Sequence, residues 1–186
     1  MKDNLNPDPL PASTIQRARA RIGGRFVLEC RRDGKIIWTE DVHNIVTNEG
    51  LDSILDVYFH AATQITTWYC VMFENDYTPD GDETYAVPEY TETTAYDEAT
   101  RPKYEEAAAS SQSITNSANK ATFTISASKT LYGAALVGGG FSATTKGNTD
   151  GGGTLICAAR FTSSRAVIDD DVINLTYTVS AADDGA

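Results

Sequence analysis

Two runs rich in β-branched and aromatic residues, RFVLECRR and KIIWTEDV, meet at Asp33-Gly34, and no other feature constrains the chain as much. An Asp-Gly pair supplies the positive φ angles of a two-residue hairpin turn, and the flanking residues suit a pleated, half-buried surface. An antiparallel hairpin over residues 25–42 follows. Similar runs recur downstream as ITTWYCVMF, SSQSITNS, KATFTISAS, LYGAALVGG, GGTLICAARF and DVINLTYTV. The first of these is apolar throughout, which predicts a strand buried on both faces. ATFTIS and INLTYTV alternate apolar and polar residues, as antiparallel strands with one solvated face do. Glycines at 138–140 and within 147–153 punctuate the runs. This pattern predicts an all-β chain of about eight strands, an antiparallel β-sandwich or jelly roll.

One segment departs from the strand pattern. In VHNIVTNEGLDSILDVYF, Thr47 or Asn48 can cap a helix whose Leu51, Ile54, Leu55 and Tyr58 recur at helical spacing. The spacing predicts one short amphipathic helix with that stripe facing the core and Asp52, Ser53 and Asp56 facing out. Residues 74–103 read instead as a long acidic loop, with nine Asp/Glu from Glu74 to Glu98 and no Lys or Arg among them. A loop of that length tends to be functional or ordered by a partner. Tyrosine gives large contact area at low entropic cost, so Tyr77, Tyr85, Tyr90 and Tyr96 are candidate partner-binding residues.

The N-terminal segment differs again. Pro7, Pro9 and Pro11 hold the backbone extended and remove amide donors, and Arg17, Arg19, Arg21 and Arg25 follow with no acidic neighbour. Residues 1–24 are therefore expected to form an extended arm, 25–182 a single β domain and 183–186 a tail. The four arginines join the tyrosines as candidate partner-binding residues. Charge is split along the chain: residues 1–40 carry eight Lys/Arg against five Asp/Glu, and residues 41–106 carry two against fifteen. An acidic middle argues against nucleic acid as partner, because phosphate binding needs a basic face.

The search for chemistry predicts no enzyme. His43 and His60 lack a nucleophile elbow or catalytic cysteine context, and the glycine clusters lack the Lys-Ser/Thr of a phosphate loop. Cys30, Cys70 and Cys157 are odd in number, lie far apart and sit in apolar or alternating runs, which predicts reduced, buried thiols. Asp76, Asp80, Asp82 and Glu83 surround Gly81, but Thr78 and Val87 stand where an EF-hand needs ligands, so neither metal nor cofactor is expected. No apolar stretch is long enough for a membrane helix, and MKDNLNPDPLPAS lacks a signal-peptide core, predicting neither membrane insertion nor Sec export.

Set side by side, HNIVTNEGLDSILD, TTWYCVMFENDYTP, TTAYDEATRPKYE and TLICAARFTSSRAVIDDDVINLTYTVS resemble a family of small tailed-phage virion proteins over roughly residues 25–180. The resemblance implies a structural role. Within tailed phages, a β-rich protein of this size resembles capsid cement or decoration proteins, several of them jelly rolls that bridge neighbouring capsomers as dimers or trimers. It also implies the major capsid protein as partner, a homo-oligomer, synthesis in the bacterial host cytoplasm and a place on the capsid surface. A tail, tail-fibre or connector component contacting the host or the portal vertex is the alternative.

Overall fold

The structure, a computed structural model, describes residues 20–183. In chain order the elements are β1 (Ala20–Arg32), β2 (Lys35–His43), β3 (Ile45–Val46), α1 (Asn48–Phe59), β4 (Trp68–Phe73) and β5 (Lys103–Tyr104). They continue as β6 (Ser113–Thr115), β7 (Ala121–Thr124), β8 (Lys129–Gly138), β9 (Thr154–Val167) and β10 (Val172–Asp183). The chain is mostly β, with two antiparallel five-stranded sheets and one short helix. The first sheet is ordered β2-β1-β10-β6, with β7 also pairing β10, and the second is ordered β3-β9-β8-β4-β5.

The first hairpin forms where the sequence places it: Arg32 pairs Lys35, and Asp33 and Gly34 take φ of 48° and 75°. Period-two burial then builds the core. Phe26, Leu28 and Cys30 of β1 and Ile173, Leu175 and Tyr177 of β10 meet Met72 of β4, Leu136 of β8 and Phe161 of β9 in one cluster. Each such side chain removed from water contributes roughly 1.5–3 kcal/mol. The three cysteines are free and buried, and burial pushes the Cys30 and Cys157 thiols up to about 12, so they stay protonated and unreactive.

As expected, β4 is buried on both faces, but each face has its own reason. Cys70 and Met72 point into the main core, while Val71 and Phe73 belong to a second cluster with Ala135, Val137 and Leu155 on the other side of the same sheet. That second face is covered by the acidic loop. Among the described residues, no helix is long and apolar enough to cross a membrane.

Three expectations are corrected. The arm does not run to residue 24, because Ala20 to Gly24 pair with Asp183 to Val179 in β1 and β10, and the strand also takes in the first residue assigned to the tail. Arg17 and Arg19 lie outside the described residues. The helix has the predicted span and Thr47 cap, and Asp52 and Asp56 face out as expected, but it is rotated about its axis: Gly50 is its buried residue, Ser53, Ile54 and Val57 are half-buried, and Leu51, Leu55 and Tyr58 are exposed. Its first turn sets that rotation. A Cβ on Gly50 would lie 2.5 Å from the Ile156 carbonyl oxygen, so the glycine lets helix and β9 backbones touch. Finally, the loop at 74–103 folds back on the body, as described next.

Candidate functional site

The loop is held by backbone pairing at both ends and by one buried ion pair. Its backbone extends the edge of β4, with Glu74 N–H donating to Thr91 O, Thr93 N–H to Met72 O and Cys70 N–H to Pro102 O. It then crosses to the other sheet, where Asp97 N–H donates to Thr124 O and the Glu98 carboxylate accepts from the Thr124 amide and hydroxyl. The loop therefore covers two strand edges that would otherwise stand open.

At its centre sits Arg101, only 2 % exposed. Its guanidinium donates to both Glu92 oxygens, to the Ala143 and Asn148 carbonyls and to the Tyr85 hydroxyl. A buried charge is tolerable only when paired and fully hydrogen-bonded, and this one is both. Arg101 was not among the sequence candidates. The signal was present, since it is the first cation after a run of nine carboxylates, but nothing local says that such a residue is buried.

Tyr85, Tyr90 and Tyr96 are buried and Tyr77 is half-buried, which corrects the reading of all four as an outward contact surface. Tyr85 and Tyr90 fill the second core cluster, with Tyr77 packed against it, and Tyr90 stacks on Phe73 with ring centroids 5.2 Å apart. Tyr96 faces the main core edge-on to Phe123, and the Lys146 ammonium lies 4.1 Å from its ring centroid. The property that suits tyrosine to interfaces, a large apolar body at low entropic cost, serves here to seal a sheet face.

Among the arginine candidates, Arg21 and Arg25 lie on the outer face of the first sheet beside Val27, His43 and Thr178. Arg25 makes a two-pronged ion pair with Asp41 across the hairpin, so its charge is answered within the chain. Two acidic anchors missed in the sequence tie the opposite margin together. Glu40 of β2 accepts from the Thr162 amide and hydroxyl and from Arg165, and Asp171 accepts two bonds from Arg32. Burial works to raise the Glu40 carboxyl, but Thr162 and Arg165 outweigh it and hold it below the ordinary range. The Arg32 guanidinium does the same for Asp171.

The carboxylates around Gly81 diverge rather than converge. Asp76 pairs with Arg160, Asp82 accepts from the Asn48 amide, and Asp80 accepts from the Asp82 backbone. Among the described residues, no three His, Cys, Asp or Glu side chains are grouped to hold a metal ion. Glu83 is buried with neither oxygen hydrogen-bonded. Burial pushes its carboxyl up and outweighs the nearby Tyr77 hydroxyl, which pulls it down, and the Asp80 and Glu89 charges add to the rise. A folded-state value above the unfolded one stabilises at low pH, and that contribution is lost as pH rises through the folded value. Glu83→Gln should therefore match the parent near pH 4 and exceed it at pH 7 by about 1 kcal/mol, a few degrees in thermal midpoint. Melting curves of both proteins at the two pH values check this, and a pH-independent gap would contradict it.

What remains outward is a set of large apolar side chains. Tyr58 and Phe59 at the end of α1 are 81 % and 79 % exposed, and Val87 and Phe141 are similarly open. Beside α1 runs a cleft of about 620 Å³ whose walls include Glu49, Asp52, Asp56 and Asp82. An apolar stripe with an acidic flank is the most distinctive surface among the described residues. Compared with protein-family models and with curated proteins, the chain matches none.

Proposed function

We propose that this chain is a structural component of a tailed-phage virion, a capsid cement or decoration protein that binds and bridges major capsid protein subunits. The observation that carries the reading is the ordered series of sequence blocks from HNIVTNEGLDSILD to DVINLTYTVS that resembles small tailed-phage virion proteins, among which a β-rich chain of this size resembles the cement and decoration proteins. In this reading the two sheets are the halves of a β-sandwich or jelly roll. A body whose long loop is folded down and whose exposed apolar residues are large and clustered supports a protein that works by being covered. The Arg-bearing N-terminal segment then supplies a second point of attachment, on a capsid subunit or on a sister copy. Each exposed ion pair is worth at most about 1 kcal/mol, so attachment at many lattice sites must supply the affinity.

Quantitative mass spectrometry of purified particles tests the reading. A copy number comparable to that of the major capsid subunit is the expected result, and a few copies per particle would move the protein to the tail or connector. Deletion of residues 1–19 should abolish incorporation while leaving the fold of the body intact. The deletion stops there because Ala20 to Gly24 are paired strand residues. Normal occupancy by the truncated protein would remove the arm from the mechanism.

A further inference from the structure

The exposed stripe of α1 is the strongest unpartnered surface of the molecule. Leu51, Leu55, Tyr58 and Phe59 recur at i, i+4, i+7 and i+8 and therefore share one face, and all four are exposed. Aromatic rings left about four-fifths open on a single helix face leave apolar area that water solvates poorly. The helix packs through its other side, where Gly50 touches β9, so rotating the stripe inward would break that contact.

The chemistry around the stripe narrows what covers it. Residues 48–59 contain Glu49, Asp52 and Asp56 and no Lys, Arg or His, and Asp82 stands across the adjoining cleft. A second copy of α1 laid against the first would bring like charges together, at a cost to the pairing. The fitting occupant is apolar and basic. One segment of this chain combines both: residues 10–19, LPASTIQRAR, hold Leu10 and Ile15 with Arg17 and Arg19 and no acidic residue. Arg17 and Arg19 lie within three residues of Ala20, and an extended chain from Ala20 back to Leu10 reaches roughly 30 Å. The strand that the segment leads into passes the start of α1: four residues after Ala20, Gly24 of β1 accepts from the Asn44 amide, three residues before the Thr47 cap.

We propose that the N-terminal segment, residues 1–19, docks on α1, its apolar side chains on the Leu51–Leu55–Tyr58–Phe59 stripe and its arginines against Asp52 and Asp56 at the acidic cleft. The contact belongs to the purified protein and does not depend on where in a virion it sits.

The test places the photo-crosslinker p-benzoylphenylalanine at Phe59 in the full chain, where an exposed site should tolerate it, and maps crosslinked peptides by mass spectrometry. Crosslinks to residues 1–19, within one chain or between two, are expected. Their yield should fall several-fold between 0.1 M and 1 M NaCl and in the R17E/R19E variant, and return when that variant also carries D52K/D56K. Crosslinks confined to another copy's α1 or to other parts of the body, or no crosslink to residues 1–19, would overturn the proposal. Circular dichroism of each variant verifies the fold, and incorporation into particles is a separate measurement, so failure here and failure of the virion reading are distinguishable.

Discussion

Replacing Arg101 by methionine is expected to cost about 3–5 kcal/mol of stability, because it strands the Glu92 carboxylate in a buried site. For a domain of this size that is a fall of roughly 6–20 °C in melting temperature. The loss does not measure the strength of the Arg101–Glu92 bond itself. Five hydrogen bonds converge on one guanidinium, and removing it also takes the donor from the Ala143 carbonyl, while the Asn148 carbonyl keeps the Tyr85 hydroxyl. The double variant R101M/E92M separates the two contributions. Because a buried ion pair exchanged for apolar groups of similar volume is often near neutral, the double variant should recover most of the loss. A double variant as unstable as the single one would show that the lost carbonyl and hydroxyl contacts of the guanidinium, not the orphaned carboxylate, dominate. Limited proteolysis should find the new cleavage sites of R101M within residues 74–103, since that is the segment the guanidinium pins.

A comparable loss is expected from a single added methyl group. At Gly133 on β8, a Cβ would lie 1.9 Å from the Phe73 ring and 2.3 Å from the Ala159 carbonyl oxygen. Neither neighbour can yield cheaply. Phe73 is fully buried and stacked on Tyr90, and the carbonyl belongs to the paired strand β9. Overpacking of this kind costs about 1–3 kcal/mol, and the backbone clash places Gly133→Ala at or above the upper end. Gly23→Ala is the control, since a Cβ there meets nothing within 4 Å and the backbone is not left-handed. It should change stability by no more than about 0.5 kcal/mol. Chemical denaturation of the two variants side by side decides the matter, and equal midpoints would refute the packing argument.

Both effects arise at places where the chain meets residues remote in sequence. Local pattern reads well where a strand's environment is periodic: Phe26, Leu28 and Cys30 alternate inward, as do Ile173, Leu175 and Tyr177, and Asp33-Gly34 turns where an Asp-Gly pair must. The Thr47 cap and the span of α1 were equally legible, because capping and helical spacing act within a few residues. Legibility ends at the rotation of that helix. Spacing alone favours burying Leu51, Leu55 and Tyr58, but Gly50 against Ile156 and the Glu49 carboxylate accepting from the Tyr85 and Leu155 amides hold the opposite face down.

The acidic segment shows the same limit from the other side. Its composition, tyrosines among carboxylates with turn-forming residues throughout, reads identically whether the tyrosines point to a partner or into the protein. The choice depends on the second face of the β8–β4 sheet, which carries Val71, Phe73, Ala135 and Val137 and has to be covered by something. The sequence by itself determined the longer strands, the hairpin, the helix cap and the three buried thiols, since these follow from spacing, turn chemistry and hydrophobicity within short windows, whereas the two-residue strands β3 and β5 exist only through their pairing with β9 and β4. Only the tertiary structure decided that the tyrosines face inward, that Arg101 is the buried anchor of the loop and that the apolar side of α1 faces solvent. Each of these outcomes turns on contacts between residues tens of positions apart, whose free energy exists only once both sheets are in place.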